Sequence, residues 1–212
     1  MEIGTLLSRG YIKNKMHIYA NIDDCAIVIN DFLSQELFNK ISTYNYKTNR
    51  SSHEENVSNP WDENLYKDKN KTITMKKVMQ INDLSRIENN KVSAVDPIFE
   101  EFFKVLINCP FLPYQKNMTI VLNYYEYSKF SGINWHTDGN HTLNYSFYIH
   151  ENWDPDWGGE TLIDTNRGLP LSITPNPNSL VSIKNGISHK VCCINGPKKR
   201  KVLQLRGRFF KD

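Results

Sequence analysis

Hydrophobic and polar positions along the chain change character near Asn117. Residues 1–24 are mixed and polar, and Met1 to Tyr19 reads as a strand pair or a loose arm. Cys25 to Asn30 is a short apolar run rich in β-branched residues, which predicts a strand. Ser34 follows in a position to cap a helix, with Glu36 favouring its first turn. Leu37, Phe38 and Ile41 carry the helical spacing to a stop near Tyr46. This strand and helix are expected to pack outside a β-core. Thr72 to Ile81 reads as another strand. Asp96-Pro97 opens a second helix, Asp as cap and Pro at the first helical position. Ile98, Phe102 and Val105 form one stripe with Phe99, Phe103 and Leu106 beside it, so this helix is expected to be well buried until Pro110 and Pro113 end it.

Beyond Asn117 short apolar runs alternate with turns. Met118 to Tyr127, Thr142 to Ile149, Glu160 to Asp164, Ser179 to Lys184, Lys190 to Ile194 and Val202 to Phe210 all qualify as strands. Two helices followed by such a series argue for an α+β chain whose β half is a barrel or jelly roll. We expect one domain over 1–212. Residues 1–116 give helical and strand support with a lid loop at 47–71, and 117–212 the jelly roll. From Lys47 to Lys71 apolar residues thin out and only Trp61 and Tyr66 could anchor, as in a loop over a substrate or a plain mobile insertion.

Composition narrows the function classes. Hydrophobic residues make up 39% of the 212, enough for a core, and the formal net charge is only +3. That falls short of the basic footprint of a dedicated nucleic-acid binder, and it suits an acidic small molecule or peptide equally well. Cys25, Cys109, Cys192 and Cys193 show neither CxxC spacing nor a disulfide framework, so they read as thiols. No apolar leader opens the chain and no run of about 18 apolar residues occurs. The expectation is a cytoplasmic protein without a membrane partner.

The chemistry concentrates at Trp135-His136-Thr137-Asp138-Gly139. On an extended segment His136 and Asp138 point to one face. A third ligand must come from elsewhere, and His189 is the best placed. Two His and one carboxylate leave three positions open, the set that suits non-haem Fe(II) oxygenases. His141 and His150 are rival ligands, so spacing alone leaves a zinc site open.

From Met118 to Phe210 the chain resembles the Fe(II)/2-oxoglutarate dioxygenases of the prolyl-4-hydroxylase type. The matching motifs stand in the family's order. They are Gly132-Ile133-Asn134-Trp135-His136-Thr137-Asp138, Tyr148-Ile149-His150-Glu151-Asn152-Trp153, Gly158-Gly159-Glu160-Thr161, Pro175-Asn176-Pro177-Asn178-Ser179-Leu180-Val181 and His189-Lys190-Val191, then a basic residue before a last strand. The resemblance implies a double-stranded β-helix (jelly-roll) core with N-terminal helices packed on it. It also implies Fe(II) held by His136, Asp138 and His189, with 2-oxoglutarate as cosubstrate, O2 as oxidant and ascorbate as an optional addition. Arg200 matches the residue that binds the distal carboxylate of 2-oxoglutarate; a guanidinium fork suits that task. Lys198 and Lys199 are rivals should the register shift. Tyr148 is expected to hydrogen-bond the same carboxylate, and Tyr125 to make a further contact, with Tyr124 and Tyr127 as alternatives.

If Arg200 points inward, strand parity sends Val202, Gln204 and Arg206 inward too. The prolyl-hydroxylase pattern has an aromatic residue where Arg206 falls. A second inward Arg, with Asn123-Tyr124-Tyr125, resembles the AlkB-type nucleic-acid demethylases instead. Arg206 is thus expected to meet the cosubstrate or an anionic substrate group. The function implied is hydroxylation of an unactivated C–H bond, foremost on a protein residue, releasing succinate and CO2. The alternatives are the same chemistry on a nucleic-acid base or on a free amino-acid-like molecule.

Overall fold

The computed structural model describes residues 17–22, 25–46, 73–81, 96–112, 118–139, 143–165 and 168–209. The expected arm at Met1 to Tyr19 for the most part, the lid loop 47–71 and His141 lie outside these. In chain order the elements are β1 (His17–Ile22), β2 (Ala26–Asn30), α1 (Gln35–Ser42), β3 (Ile73–Ile81), α2 (Pro97–Ile107) and β4 (Met118–Tyr127). There follow β5 (Ile133–His136), β6 (Leu143–Tyr148), β7 (Thr161–Ile163), β8 (Leu171–Ile173), β9 (Leu180–Ile183), β10 (His189–Val191) and β11 (Arg200–Phe209). Among the described residues no helix is long and apolar enough to cross a membrane.

Both described helices begin where their caps dictate. The Ser34 hydroxyl accepts from the Leu37 N–H at 3.3 Å, and the Asp96 carboxylate accepts from the Ile98 N–H at 3.1 Å. Leu37, Phe38 and Ile41 of α1, with Phe99, Phe102, Phe103 and Leu106 of α2, turn inward. Ile98 and Val105, expected in the main stripe of α2, are only partly buried at its flank.

The strands form two antiparallel sheets, one ordered β1-β2-β9-β6-β11-β4-β3 and a smaller one ordered β5-β10-β7-β8. Strand alternation gives the large sheet two different faces. Leu143, Tyr145 and Phe147 of β6, Leu203 and Leu205 of β11, and Leu122 and Tyr124 of β4 pack with the helices. The alternate positions Tyr148, Val202, Tyr125 and Tyr127 pack instead with Ile133, Ile163, Ile173 and Val191 of the small sheet. The architecture is therefore helices on a sheet on a sheet, the double-stranded β-helix with helices packed on it that the resemblance implies.

Two expectations need correcting. The opening strand does not pack outside the β-core, because β2 lies between β1 and β9 inside the large sheet. Strands β5 and β8 escaped the hydrophobic pattern. β5 buries only Ile133 and β8 only Ile173, so neither presents an apolar run.

The Pro175–Asn178 motif has a structural reason. Asn178 sits at φ +58°, its amide donates to the Leu33 carbonyl at 2.9 Å, and its Oδ1 accepts the Leu33 N–H at 3.0 Å. This buried double bond ties the turn before β9 to the entry of α1.

Candidate active site

Between the two sheets lies a cavity whose wall includes Tyr125, Tyr127, His136, His189, Arg200, Gln204 and Arg206. The two histidines meet because β5 and β10 pair with His136 opposite His189. Their rings lie 4.3 Å apart, centroid to centroid. Asp138 joins them differently from the parity argument, since β5 ends at His136 and Asp138 stands beyond it in irregular backbone. Its Oδ2 lies 3.2 Å from His189 Nε2, and its Oδ1 lies 4.0 Å from His136 Nε2. One donor atom from each of the three falls within 4.8 Å of the others.

The histidine tautomers follow from their neighbours. His136 Nδ1 is 2.8 Å from the Asn134 carbonyl and His189 Nδ1 is 3.0 Å from the Ile187 carbonyl. A carbonyl only accepts, so each Nδ1 carries a proton and each Nε2 is the atom turned toward Asp138. Two imidazole Nε2 atoms and a carboxylate oxygen thus converge, a donor set that a metal ion among them would complete. Burial, with His189 nearby, holds His136 below the usual histidine value, which favours the neutral ligand form. Burial opposes ionisation of Asp138, yet His189, Arg206 and His136 together outweigh it and hold the carboxyl below its ordinary value. The donor set fits Fe(II).

His150 is no rival. It is 4% exposed, its Nε2 lies 2.6 Å from the Pro175 carbonyl, and its Nδ1 accepts from the Lys201 N–H at 3.4 Å. Burial first, against the Pro175 bond, lowers its pKa to about 4, so it is a neutral strut with neither nitrogen facing the cavity.

Arg200 begins β11 and is 2% exposed. One Nη donates to the Tyr148 hydroxyl at 3.1 Å and to Thr161 Oγ1 at 3.2 Å. The guanidinium lies between the rings of Tyr127 and Tyr148, 4.9 and 4.8 Å from their centroids. Among the described residues no carboxylate lies within ion-pair distance of it, and its Nε has no hydrogen-bond partner. A buried guanidinium without an anion calls for one from a ligand. The rival lysines are elsewhere: Lys198 reaches Asn152 and Lys199 pairs with Glu126, both exposed.

Tyr125 lines the cavity with a buried hydroxyl that has no partner among the described residues. Tyr124 faces the helices, stacked on Tyr46 at 4.4 Å. Burial pushes the Tyr127 phenol up to about 12 and raises that of Tyr125, so both remain protonated donors. Arg206 does line the cavity, and its Nη2 donates to Asp138 Oδ1 at 3.2 Å.

Sequence reasoning missed Thr161 and Asn144 as site residues, named Tyr127 only as an alternative to Tyr125, and turned Gln204 inward without giving it a task. Thr161 closes the Gly158-Gly159-Glu160-Thr161 motif, and Tyr127 stands opposite Arg200 across the ladder, so both were within reach. Asn144 carried a weaker signal, a polar residue at an inward position of a strand.

Residues 121–205 match the model of the 2OG-Fe(II) oxygenase superfamily, a span that holds His136, Asp138, His189 and Arg200 and stops one residue short of Arg206. Comparison with curated proteins gives no match. Among solved structures, a prolyl-4-hydroxylase of Pseudomonas putida aligns with TM-score 0.60 at 15% identity, over 90% of this chain and 98% of that one. A prolyl hydroxylase of Trichoplax adhaerens, solved with a hypoxia inducible factor peptide fragment, aligns with TM-score 0.55 at 15% identity, over 88% and 86%. An oxidoreductase of the 2OG-Fe(II) oxygenase family from Burkholderia pseudomallei aligns with TM-score 0.52 at 12% identity, over 87% and 84%. At such identities the likeness is one of fold. The matched segment holds the converging His-Asp-His donors and is similar to the 2OG-Fe(II) oxygenase superfamily, on a fold similar to that of the prolyl-4-hydroxylases.

Proposed function

We propose that the chain hydroxylates an unactivated C–H bond on a protein residue, with Fe(II) on His136, Asp138 and His189 and 2-oxoglutarate anchored by Arg200. The observation that carries this is one cavity lined by His136 and His189, with the Asp138 carboxylate against them, and by a buried, anion-deficient guanidinium at another place. Bound iron and 2-oxoglutarate would supply the oxidation, O2 giving one oxygen atom to the substrate and one to succinate as CO2 leaves.

The chain's own residues have four tasks. The Asn134 and Ile187 carbonyls orient the two imidazoles and hold the proton of the neutral ring on Nδ1, which leaves Nε2 as the ligand atom. Asp138 supplies the anionic oxygen. Arg200, with the Tyr148 and Thr161 hydroxyls beside it, would take the distal carboxylate, while Tyr127 packs against the guanidinium. The Tyr125 hydroxyl is a donor in reserve for the same cosubstrate. Ile73, Ile133, Ile183, Val191 and Val202 line the remainder and keep water from the reacting centre.

A protein residue is preferred as substrate because the fold is that of prolyl hydroxylases, one of them solved with a peptide. Arg206, which at sequence level pointed toward nucleic acid, lies against Asp138, and that contact accounts for its inward position without a nucleic-acid substrate. Purified protein incubated in air with Fe(II), 2-oxoglutarate and ascorbate should release succinate, faster with a proline-bearing peptide whose mass rises by one oxygen. Absence of succinate with peptides, oligonucleotides and amino acids alike would overturn the proposal. A mass gain or demethylation on the oligonucleotide alone would transfer it to the nucleic-acid reading.

A further inference from the structure

Asn144 is a buried amide in the middle of a strand, 7% exposed, between the core residues Leu143 and Tyr145. Such a group is costly unless its donor and acceptor atoms are satisfied. An ionised carboxylate only accepts, so the Asn144 NH2 must be the end that faces Asp138 Oδ2, and its bond there is short. That leaves Asn144 Oδ1 in need of a donor. Gln204 Nε2 supplies it at 3.2 Å. Arg206 meanwhile holds the other carboxylate oxygen, Oδ1, at 3.2 Å.

The four residues come from different places. Asp138 follows β5 of the small sheet, Asn144 lies on β6, and Gln204 and Arg206 lie on β11 of the large one. Asn144 and Arg206 are direct cross-strand partners, and Gln204 pairs with Ser146, so all three side chains rise from one face toward the same carboxylate. Asp138 stands in irregular backbone beyond the strand end, next to Gly139 at φ +66°. Its own chain therefore does little to fix its side chain, and the opposite sheet does that instead.

Resting on the metal-site reading above, we propose that Asn144 and Arg206 are positioning residues that clamp both oxygens of Asp138, with Gln204 acting solely through Asn144 by locking its amide orientation. The clamp reaches across the two sheets. It sets the direction in which Asp138 presents its lone pairs to the metal, and with it the metal affinity. Outer partners of metal ligands commonly carry a tenfold to hundredfold share of affinity.

The test is Co(II) binding to the full metal-free chain, followed by its visible d–d absorption, with the metal-free melting temperature measured on every variant. Asn144→Leu should weaken Co(II) binding by about tenfold to a hundredfold and shift the d–d bands. Its metal-free melting temperature should stay near that of the parent. Gln204→Leu should weaken binding by a smaller factor in the parent and by none in the Asn144→Leu background, as expected if it acts through Asn144 alone. Should Asn144→Leu fail to fold, Asn144→Ala and Asn144→Ser carry the same expectations in the remaining space. The proposal is overturned if the Asn144 variants bind Co(II) with parental affinity and spectrum. It is equally overturned if only the metal-free melting temperature falls, or if Gln204→Leu costs the same factor in both backgrounds. His189→Ala and Asp138→Ala separate the two layers: parental Co(II) binding by both would overturn the metal site itself, whatever the Asn144 variants do.

Discussion

Arg200 is a buried charge whose surroundings state what it lacks. Its Nη has Tyr148 and Thr161, its faces have two rings, and no carboxylate among the described residues neutralises it. Charge-assisted hydrogen bonds to such a group contribute roughly 1.5–3 kcal/mol. Arg200→Gln is therefore expected to raise the KM for 2-oxoglutarate by about tenfold to a hundredfold, while Lys199→Ala, at an exposed ion pair, leaves it unchanged. Steady-state succinate release against 2-oxoglutarate concentration checks both. His150 belongs to the same scale but acts on stability. Its folded pKa of about 4 lies below the ordinary 6.5, so the unfolded chain binds the proton more tightly in that window. Stability is thus expected to fall as pH drops from about 6.5 to about 4, by on the order of 3 kcal/mol from this residue. Denaturant midpoints across that range should show a flatter pH dependence in His150→Gln than in the parent.

At the scale of elements, the turn into β7 is where the backbone itself is constrained. Gly158 and Gly159 take φ of +72° and +76°, a region that side chains rarely enter. A Cβ on Gly158 would stand 2.3 Å from the Cys193 carbonyl oxygen, because Gly158 bridges to Ile194 there. A Cβ on Gly159 would press at 3.1 Å on Trp153 and Ile194 and at 3.4 Å on the Arg200 stem. Gly158→Ala should destabilise by at least about 2 kcal/mol, a fall of roughly 4–8 °C in Tm measured by calorimetry. Gly159→Ala should in addition raise the KM for 2-oxoglutarate, since it crowds the arginine slot. The pair was visible in the sequence as a motif. Its reason, the approach of the segment following β10, was not, because that contact joins residues about 35 apart.

For the molecule as a whole, the site is a joint product of both sheets, so occupying it should stabilise the fold. A ligand that binds only the folded state adds about 2.7 kcal/mol at a hundred times its Kd. Mn(II) together with a non-decarboxylating 2-oxoglutarate analogue is expected to raise Tm by roughly 5–10 °C. The rise should vanish in His189→Ala, which loses a donor, and shrink in Arg200→Gln, which loses the anchor. Scanning calorimetry with and without both ligands reads this out. Parental stabilisation of His189→Ala would remove that residue from the site.

Local chemistry by itself determined the parts of this protein that depend on near neighbours. The Ser34 and Asp96 caps, the inward faces of both helices and the long strands β4 and β11 follow from side chains within a few residues of one another. Strand parity likewise placed Arg200, Val202, Gln204 and Arg206 on one face before any fold was known, and all four line the cavity. Only the tertiary structure decided what those residues meet. It put β2 inside the large sheet, disqualified His150 by burying both its nitrogens, and gave Arg206, which lines the cavity, a partner in Asp138. The physical reason is that a hydrogen bond or ion pair is made by distance in space, and pairing between strands brings together residues such as Asp138 and Arg206 that the chain separates by 68 positions.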